Sequence, residues 1–189
     1  MTAEEIFAKI DAHMIEGIML HDQMAAYFDF LNLRGYKREH ECRAFDEFLS
    51  HRKIVRYYIN HYNRLLPETH TANQEVIPSG WIAYERSAVD ENTKKRAIRD
   101  AFRRWREWES GTKRLYEQSY TDLCEIGEIA AACKVKELVE DVDGELKMVD
   151  RQCITLADIN YDLPTIIIKQ DDMHEEYRER EEKMGVKID

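Results

Sequence analysis

Ile18-Met-Leu-His21-Asp-Gln-Met24-Ala-Ala-Tyr27-Phe28-Asp-Phe-Leu31-Asn-Leu-Arg-Gly35-Tyr36-Lys-Arg-Glu-His40-Glu41 is the stretch whose reading decides the fold. Ile18, Met24, Phe28 and Leu31 recur at helical spacing and continue a stripe begun upstream by Ile6, Ile10 and Met14. Gly35 then punctuates the run, because glycine readily takes the left-handed conformation that stops a helix. A second helical pattern resumes at once, and so short a break makes the two helices antiparallel neighbours.

Working outward, Thr2 followed by Glu5 has the spacing of a capping box and starts the first helix, which is expected to reach Leu33. The second helix is expected over residues 37–66, with a stripe through Glu41, Phe45, Phe48, Val55, Ile59, Tyr62 and Leu66, and Pro67 ends it. Residues 67–90 hold Pro67, Pro78 and the Ser79-Gly80 pair and have weak periodicity. A connection of this length is explained if it carries the chain along the bundle, so that the next helix starts at the opposite end. The third helix begins near Asp90 and shows Ile98, Phe102, Trp105, Trp108, Thr112, Tyr116 and Leu123 on one face, with Gly127 as its end. A fourth runs from about Glu128 to Cys153 through Ala131, Val135, Leu138, Val142 and Val149, and a fifth occupies residues 163–184, with Pro164 in its first turn. The whole of residues 1–189 is thus expected to form one all-α domain.

Charged residues make up 35% of the 189 and hydrophobic ones 43%, interleaved as amphipathic helices with solvated outer faces require. No apolar run reaches the roughly 20 residues of a membrane span, and the N-terminus lacks the pattern of a signal peptide, so a cytoplasmic location without membrane contact is expected. Cys42, Cys124, Cys133 and Cys153 form no CxxC pair and are expected as thiols.

A carboxylate on an apolar stripe is informative, because a buried charge is costly unless paired or metal-bound. His21 falls on the stripe of the first helix, Glu41 (preceded by His40) on that of the second, Glu109 beside Trp108 on the third, and Glu145 between Val142 and Val149 on the fourth. An antiparallel turn at Gly127 brings Glu109 and Glu145 level. A turn centred on Gly35 puts His21 opposite Leu49, close to His51, and leaves Glu41 about 12 Å higher at a rise of about 1.5 Å per residue. His21 with His51, or Glu41 alone, are therefore the choices from the first pair, to be joined by Glu109 and Glu145. Each has a plainer reading: a hydrogen-bonded core histidine, carboxylates paired with arginines, a solvated helix start.

Lys94, Lys95, Arg96, Arg99, Arg103, Arg104 and Arg106 crowd the start of the third helix, where cations oppose the helix dipole. The acidic fifth helix (Asp171, Asp172, Glu175, Glu176, Glu179) or another subunit can neutralise them. Nucleic acid ranks lower as their partner because the net charge is −10.

Asp22-Gln-Met-Ala-Ala-Tyr27 resembles the first helix of ferritins. Leu31-Asn-Leu-Arg-Gly35 with His40-Glu41 resembles elements of the Dps group of miniferritins. The run from Leu20-His21 through Gly35-Tyr36-Lys-Arg to Tyr58-Ile-Asn-His-Tyr-Asn63 resembles helical proteins carried by bacterial prophages, a resemblance that brings no activity with it. The Glu-x-x-His pairs that ferritin-like di-iron proteins carry on their second and fourth helices do not occur, and Phe30 stands where the miniferritins have a ligand. The resemblance implies a ferritin-like four-helix bundle with one long crossover and a C-terminal fifth helix, assembled as a homo-oligomer. Joined to the stripe positions above, it leads to the expectation of iron or manganese at His21, Glu109, Glu145 and Glu41 or His51, with ferroxidase-like oxidation or storage of iron. The alternative from a different class is a metal-free phage-type interaction protein with a protein partner, such as an anti-CRISPR-like inhibitor of a host nucleic-acid enzyme.

Overall fold

The computed structural model describes residues 1–66 and 89–184, apart from the side chains of 174–176 and 178–184. All the regular structure in them is helical: α1 (Ala3–Phe30), α2 (Arg34–Tyr62), α3 (Glu91–Glu125), α4 (Ile129–Asp158) and α5 (Leu163–Met184). Thr2 caps α1 through the full capping box with Glu5, and Asp90 caps α3 by accepting from the Thr93 N–H at 2.6 Å. Residues 67–88 of the expected crossover lie outside the described residues.

The turns are made by left-handed residues. Between α1 and α2 that residue is Asn32 (φ 60°), with Asn32 N–H bonded to Asp29 O and Leu33 N–H to Phe28 O. This pair of bonds satisfies the last carbonyls of α1. Gly127 (φ 81°) makes the same closure between α3 and α4, as expected. Gly35 is not the breaker that the sequence suggested. It sits inside α2, and its reason is proximity: its N–H donates to Gln170 Oε1 at 2.8 Å, and a Cβ there would collide with the Gln170 backbone carbonyl. Glycine is what lets α5 lie on α2.

α1 packs along α2, α3 along α4, and α5 against α2. His13 meets Thr112 and Phe28 meets Phe102, so α1 and α3 are antiparallel and α2 and α3 run the same way. Parallel α2 and α3 are the arrangement that the crossover reading requires. Two apolar clusters fill the bundle. One, near the Asn32 turn, gathers Leu20, Met24, Phe28, Leu33, Tyr36, Ile98, Phe102, Trp105, Val149 and Leu156, with Leu163 and Ile166 of α5. The other, near the Gly127 turn, gathers Ile6, Phe7, Ile10, Met14, Ile54, Tyr58, Tyr116, Leu123, Val135 and Val142. Each large side chain so buried contributes about 1.5–3 kcal/mol. Between the two clusters lies a polar layer.

Gly35→Ala is expected to cost about 2 kcal/mol or more, as overpacking against a fixed backbone does. Thermal unfolding should show a lowered midpoint, and limited proteolysis should find α5 newly cleavable. An unchanged midpoint with α5 still protected would contradict this account of Gly35.

Candidate functional site

The polar layer draws on all five helices. On α2 the buried face runs through Tyr36, Glu39, His40, Arg43, Ile54 and Tyr58, with Glu47 on the same side, a helical spacing whose middle is polar. Phe48, which the apolar reading placed inside, is exposed. From α1 comes His21, from α3 Trp105 and Glu109, from α4 Glu145, Met148 and Gln152, and from α5 Tyr177.

His21 and His40 are each 1% exposed and share a hydrogen bond between their Nδ1 atoms at 2.9 Å. One ring donates and the other accepts, which two cationic rings cannot do. Burial, reinforced by the Arg43 charge, pushes His21 down to about 3, and burial with its His21 and Arg43 neighbours holds His40 well below the ordinary histidine range. Both rings are therefore neutral. With Nδ1 of His21 engaged, its Nε2 faces Glu109 Oε1 at 3.9 Å. Trp105 Nε1–H donates to that same Glu109 oxygen at 2.9 Å, and the indole packs edge-on against both imidazoles.

His21 and Glu109 of this arrangement line a cavity of about 270 Å³, whose walls also include Asp46, Glu47, Asp141 and Glu145 together with the cations Arg43 and Lys53. Arg43 donates to Glu145 Oε2 and to Met148 Sδ (2.7 Å) and lies over the Trp105 ring. Among the described residues, neither Glu109 nor Glu47 has an arginine or lysine within ion-pair distance. Burial drives Glu109 up to about 7, the Trp105 bond opposing and the Glu145 charge adding to the rise. Burial followed by the Glu109 and Glu145 charges drives Glu47 up to about 8.

Behind Arg43 sits a second polar group. Glu39 is fully buried, and its Oε1 accepts from Gln152 Nε2 at 2.8 Å and Tyr177 Oη at 3.0 Å. Glu39 Oε2, Gln152 Oε1 and Arg43 Nε have no hydrogen-bond partner among the described residues. Burial, opposed by Arg43, raises the Glu39 carboxyl as well.

His21, Glu109 and Glu145 thus line one cavity, Glu145 in the grip of Arg43. Glu41 stands apart, 3.6 Å from Lys37 on α2, and His51 pairs with Asp11 of α1 at 2.7 Å. The level of α1 against α2 is set by Asn32, three residues before the assumed centre at Gly35, so His21 meets His40 instead of the region of His51. Arg43, Glu47, Gln152 and Tyr177 escaped the sequence reading, and His40 entered it only as the neighbour of Glu41. The spacing Tyr36–His40–Arg43–Glu47 was their signal. On α3, Arg103 has Asp100, Arg106 has Asp150 and Lys95 has Glu91 as counter-charges, and Arg99 lies over the Tyr161 ring. Asp171 and Asp172 of α5 are exposed, and the side chains of Glu175, Glu176 and Glu179 lie outside the described residues. All four cysteines are free.

Among the described residues, no three His, Cys, Asp or Glu side chains are gathered closely enough to hold a metal ion as they stand. The donor types suit one, a neutral imidazole and a carboxylate oxygen, but at 3.9 Å they stand wider than the roughly 2.8–3.6 Å that two bonds of about 2.0–2.2 Å subtend at tetrahedral or octahedral angles, so the pair would have to draw together to share an ion. No described helix is long and apolar enough to cross a membrane.

No family model and no curated protein matches the chain. Solved structures do. An open-pore ferritin of the hyperthermophilic archaeon Archaeoglobus fulgidus superposes with a TM-score of 0.75 at 16% identity, over 91% of this chain and 94% of that one. A closed form engineered from the same ferritin gives the same values. A humanized archaeal ferritin gives 0.74 at 14% identity, again over 91% and 94%. The fold is therefore ferritin-like, a four-helix bundle with a C-terminal fifth helix.

Glu47 and Glu109 titrate near 8 and 7 when folded against an ordinary value of 4.5, so the folded chain holds extra protons across that interval and loses stability as pH rises. The buried histidines His13, His21 and His40 act in the opposite sense, strongly up to about pH 6.5 and fading by about pH 7.5. With chelator present, the unfolding free energy is expected to fall between pH 7 and 8 by up to about 1 kcal/mol per unit, and Glu47→Gln to flatten the fall. A stability that is flat or rising over this range in the unsubstituted chain would contradict the assignment.

Proposed function

We propose that the chain is a ferritin-like bundle protein that takes up a divalent transition metal, iron or manganese, in the polar layer, with His21, Glu109 and Glu47 as the holding residues. The observation that carries this reading is the His21 Nε2–Glu109 Oε1 pair, 3.9 Å apart, contributed by different helices and both almost wholly buried. His40 holds the His21 ring through Nδ1, and with His21 as the donor of that bond the Nε2 lone pair is left for an ion, the role that outer hydrogen bonds play around metal-binding histidines. Two carboxyl groups short of a cation supply the charge that a divalent ion would balance. Mixed imidazole and carboxylate donors suit iron and manganese. The third donor has to be brought in by Glu47, whose carboxyl lies over Gly17 on the cavity wall.

Iron held there would be substrate and cargo: ferrous ion oxidised or stored, as the ferritin-like fold and the donor set together suggest. Acidic Asp46, Asp141 and Glu145 on the cavity walls favour entrance of cations over anions. A homo-oligomer belongs to this reading, and exposed Phe48, Leu49, Ile154, Ile167 and Ile168 are apolar surface that self-association would cover.

Arg43 on Glu145 favours a second reading, since it puts a protein cation among the carboxylates. There the polar layer is purely structural, and the chain is a metal-free interaction protein of phage type, such as an anti-CRISPR-like inhibitor of a host nucleic-acid enzyme. The counter-charges beside the α3 cations weigh against nucleic acid as a direct partner.

Protein purified without chelator is expected to carry iron or manganese by elemental analysis. Glu109→Gln should weaken Mn²⁺ binding roughly 100-fold or more, beyond what loss of an outer-shell partner costs. Affinity should rise from pH 6 to 8 as the ion displaces protons from Glu47 and Glu109. Absence of metal, with no Mn²⁺ or Fe²⁺ bound at millimolar concentration, would leave the metal-free reading standing.

A further inference from the structure

Beyond the polar end where His21 and Glu109 meet, the cavity continues towards the apolar cluster near the Gly127 turn. Its lining runs from Glu109 to Tyr116 on α3 and from Glu145 back to Leu138 on α4. At about 1.5 Å per residue, either run extends about 10 Å along the bundle. Met14, Tyr116, Leu138 and Val142 of that cluster, all buried, wall the far part. The exposed lining residues are Leu49, Lys53 and Asp141, which puts the mouth in the seam between α2 and α4. The volume of about 270 Å³ approaches the roughly 300 Å³ at which small-molecule pockets begin. A cavity of about 150 Å³ already admits benzene.

The polar end is rich in acceptors. Glu109 is 3% exposed, and only its Oε1 receives a hydrogen bond, from Trp105, among the described residues. Glu47, close enough to feel the Glu109 charge, has no hydrogen bond among the described residues. With His21 donating to His40 from Nδ1, its Nε2 is a third acceptor. Nε2 and Glu109 Oε1 are 3.9 Å apart, a spacing that one nitrogen bridges with hydrogen bonds of about 2.8–3.0 Å to each. A primary ammonium has three donors and no acceptor, which matches such a site. A carboxyl beside that cation ionises and becomes its counter-charge.

We propose that the cavity binds a linear primary alkylamine the size of hexylamine, its ammonium donating to Glu109, Glu47 and His21 Nε2 and its chain lying along Met14, Tyr116, Leu138 and Val142. Glu145 takes no part, being held by Arg43. Asp46 and Asp141, set against Lys53, keep the entrance acidic and disfavour an anion. The proposal goes beyond the metal reading and does not rest on it, since no ligand sphere has to close. The two occupants need the same oxygens and exclude each other.

The test is isothermal titration calorimetry of the full chain at neutral pH, with chelator, against hexylamine, butylamine, 1-hexanol and hexanoate. Hexylamine is expected to bind at least about tenfold more tightly than hexanol or hexanoate, as hydrogen bonds to a charged group require. Butylamine should bind roughly 15-fold more weakly than hexylamine, about fourfold for each methylene not buried. Glu109→Gln should weaken hexylamine at least about tenfold, and Val142→Phe, which fills the apolar part, should remove the advantage of the longer chain. Circular dichroism checks the folding of each variant, and if either fails to fold, the charge and chain-length comparisons on the unsubstituted protein decide. Equal binding of hexanol or hexanoate, no dependence on chain length, or no hexylamine bound at millimolar concentration would each overturn the proposal. Repeating the titration with Mn²⁺ in place of chelator separates the two readings. Hexylamine bound by a chain that takes no Mn²⁺ sustains this proposal and removes the metal reading, and Mn²⁺ bound by a chain that takes no hexylamine does the reverse. Competition between them sustains both, whereas both bound at once places the amine elsewhere and overturns the proposal.

Discussion

Glu47 and Glu109 share a low-dielectric cavity in the middle of a helical bundle, and the buried Arg43 on its wall is committed to Glu145. An ionised carboxylate in such a place costs several kcal/mol unless a counter-charge or hydrogen bonds compensate it. The protein handles its four inner glutamates in three ways. Glu145 has an arginine, Glu39 has Gln152 and Tyr177, and Glu47 and Glu109 are driven towards their protonated forms. Among the described residues the last two have no cation bound to them, so on the metal reading proposed above a divalent ion would take the place of their protons.

The cost is carried by what lies on either side. The apolar clusters flanking the polar layer contain most of the large buried side chains, including Phe7, Phe28, Phe102, Trp105 and Tyr58. They clamp the four long helices at both ends and fix the level of the residues between. A ferritin-like fold suits this division, since paired helices allow side chains from several directions to meet at one height. The fold alone does not assign chemistry. Here the chemistry follows from the donor atoms at that height: two imidazoles held neutral by burial and linked through Nδ1, a carboxylate facing one of them, and a second carboxylate on the cavity wall.

Much of this was legible from the chain. The capping box at Thr2, the left-handed Gly127, the levelling of Glu109 with Glu145 and the five helices follow from spacing and turn chemistry. The first turn did not, because glycine outranks asparagine as a helix stop, yet Asn32 takes the left-handed conformation and Gly35 answers a tertiary demand from α5. Moving the turn centre from Gly35 to Asn32 changes the partner of His21 from the neighbourhood of His51 to His40. On α2 the stripe of Phe45, Phe48 and Val55 was chosen for its hydrophobicity. The buried face lies one residue round, through His40, Arg43, Glu47 and Ile54. A polar layer inside the bundle makes a buried face polar, which is where periodicity of apolar residues misleads.

Infrared difference spectroscopy of the chelator-treated protein at neutral pH, before and after addition of Mn²⁺, tests the central claim most directly. The account predicts a carbonyl band of protonated carboxylic acid that disappears as the ion binds and is weakened in Glu47→Gln and Glu109→Gln. A spectrum with no protonated carboxyl before the metal, or one that Mn²⁺ leaves unchanged, would contradict it.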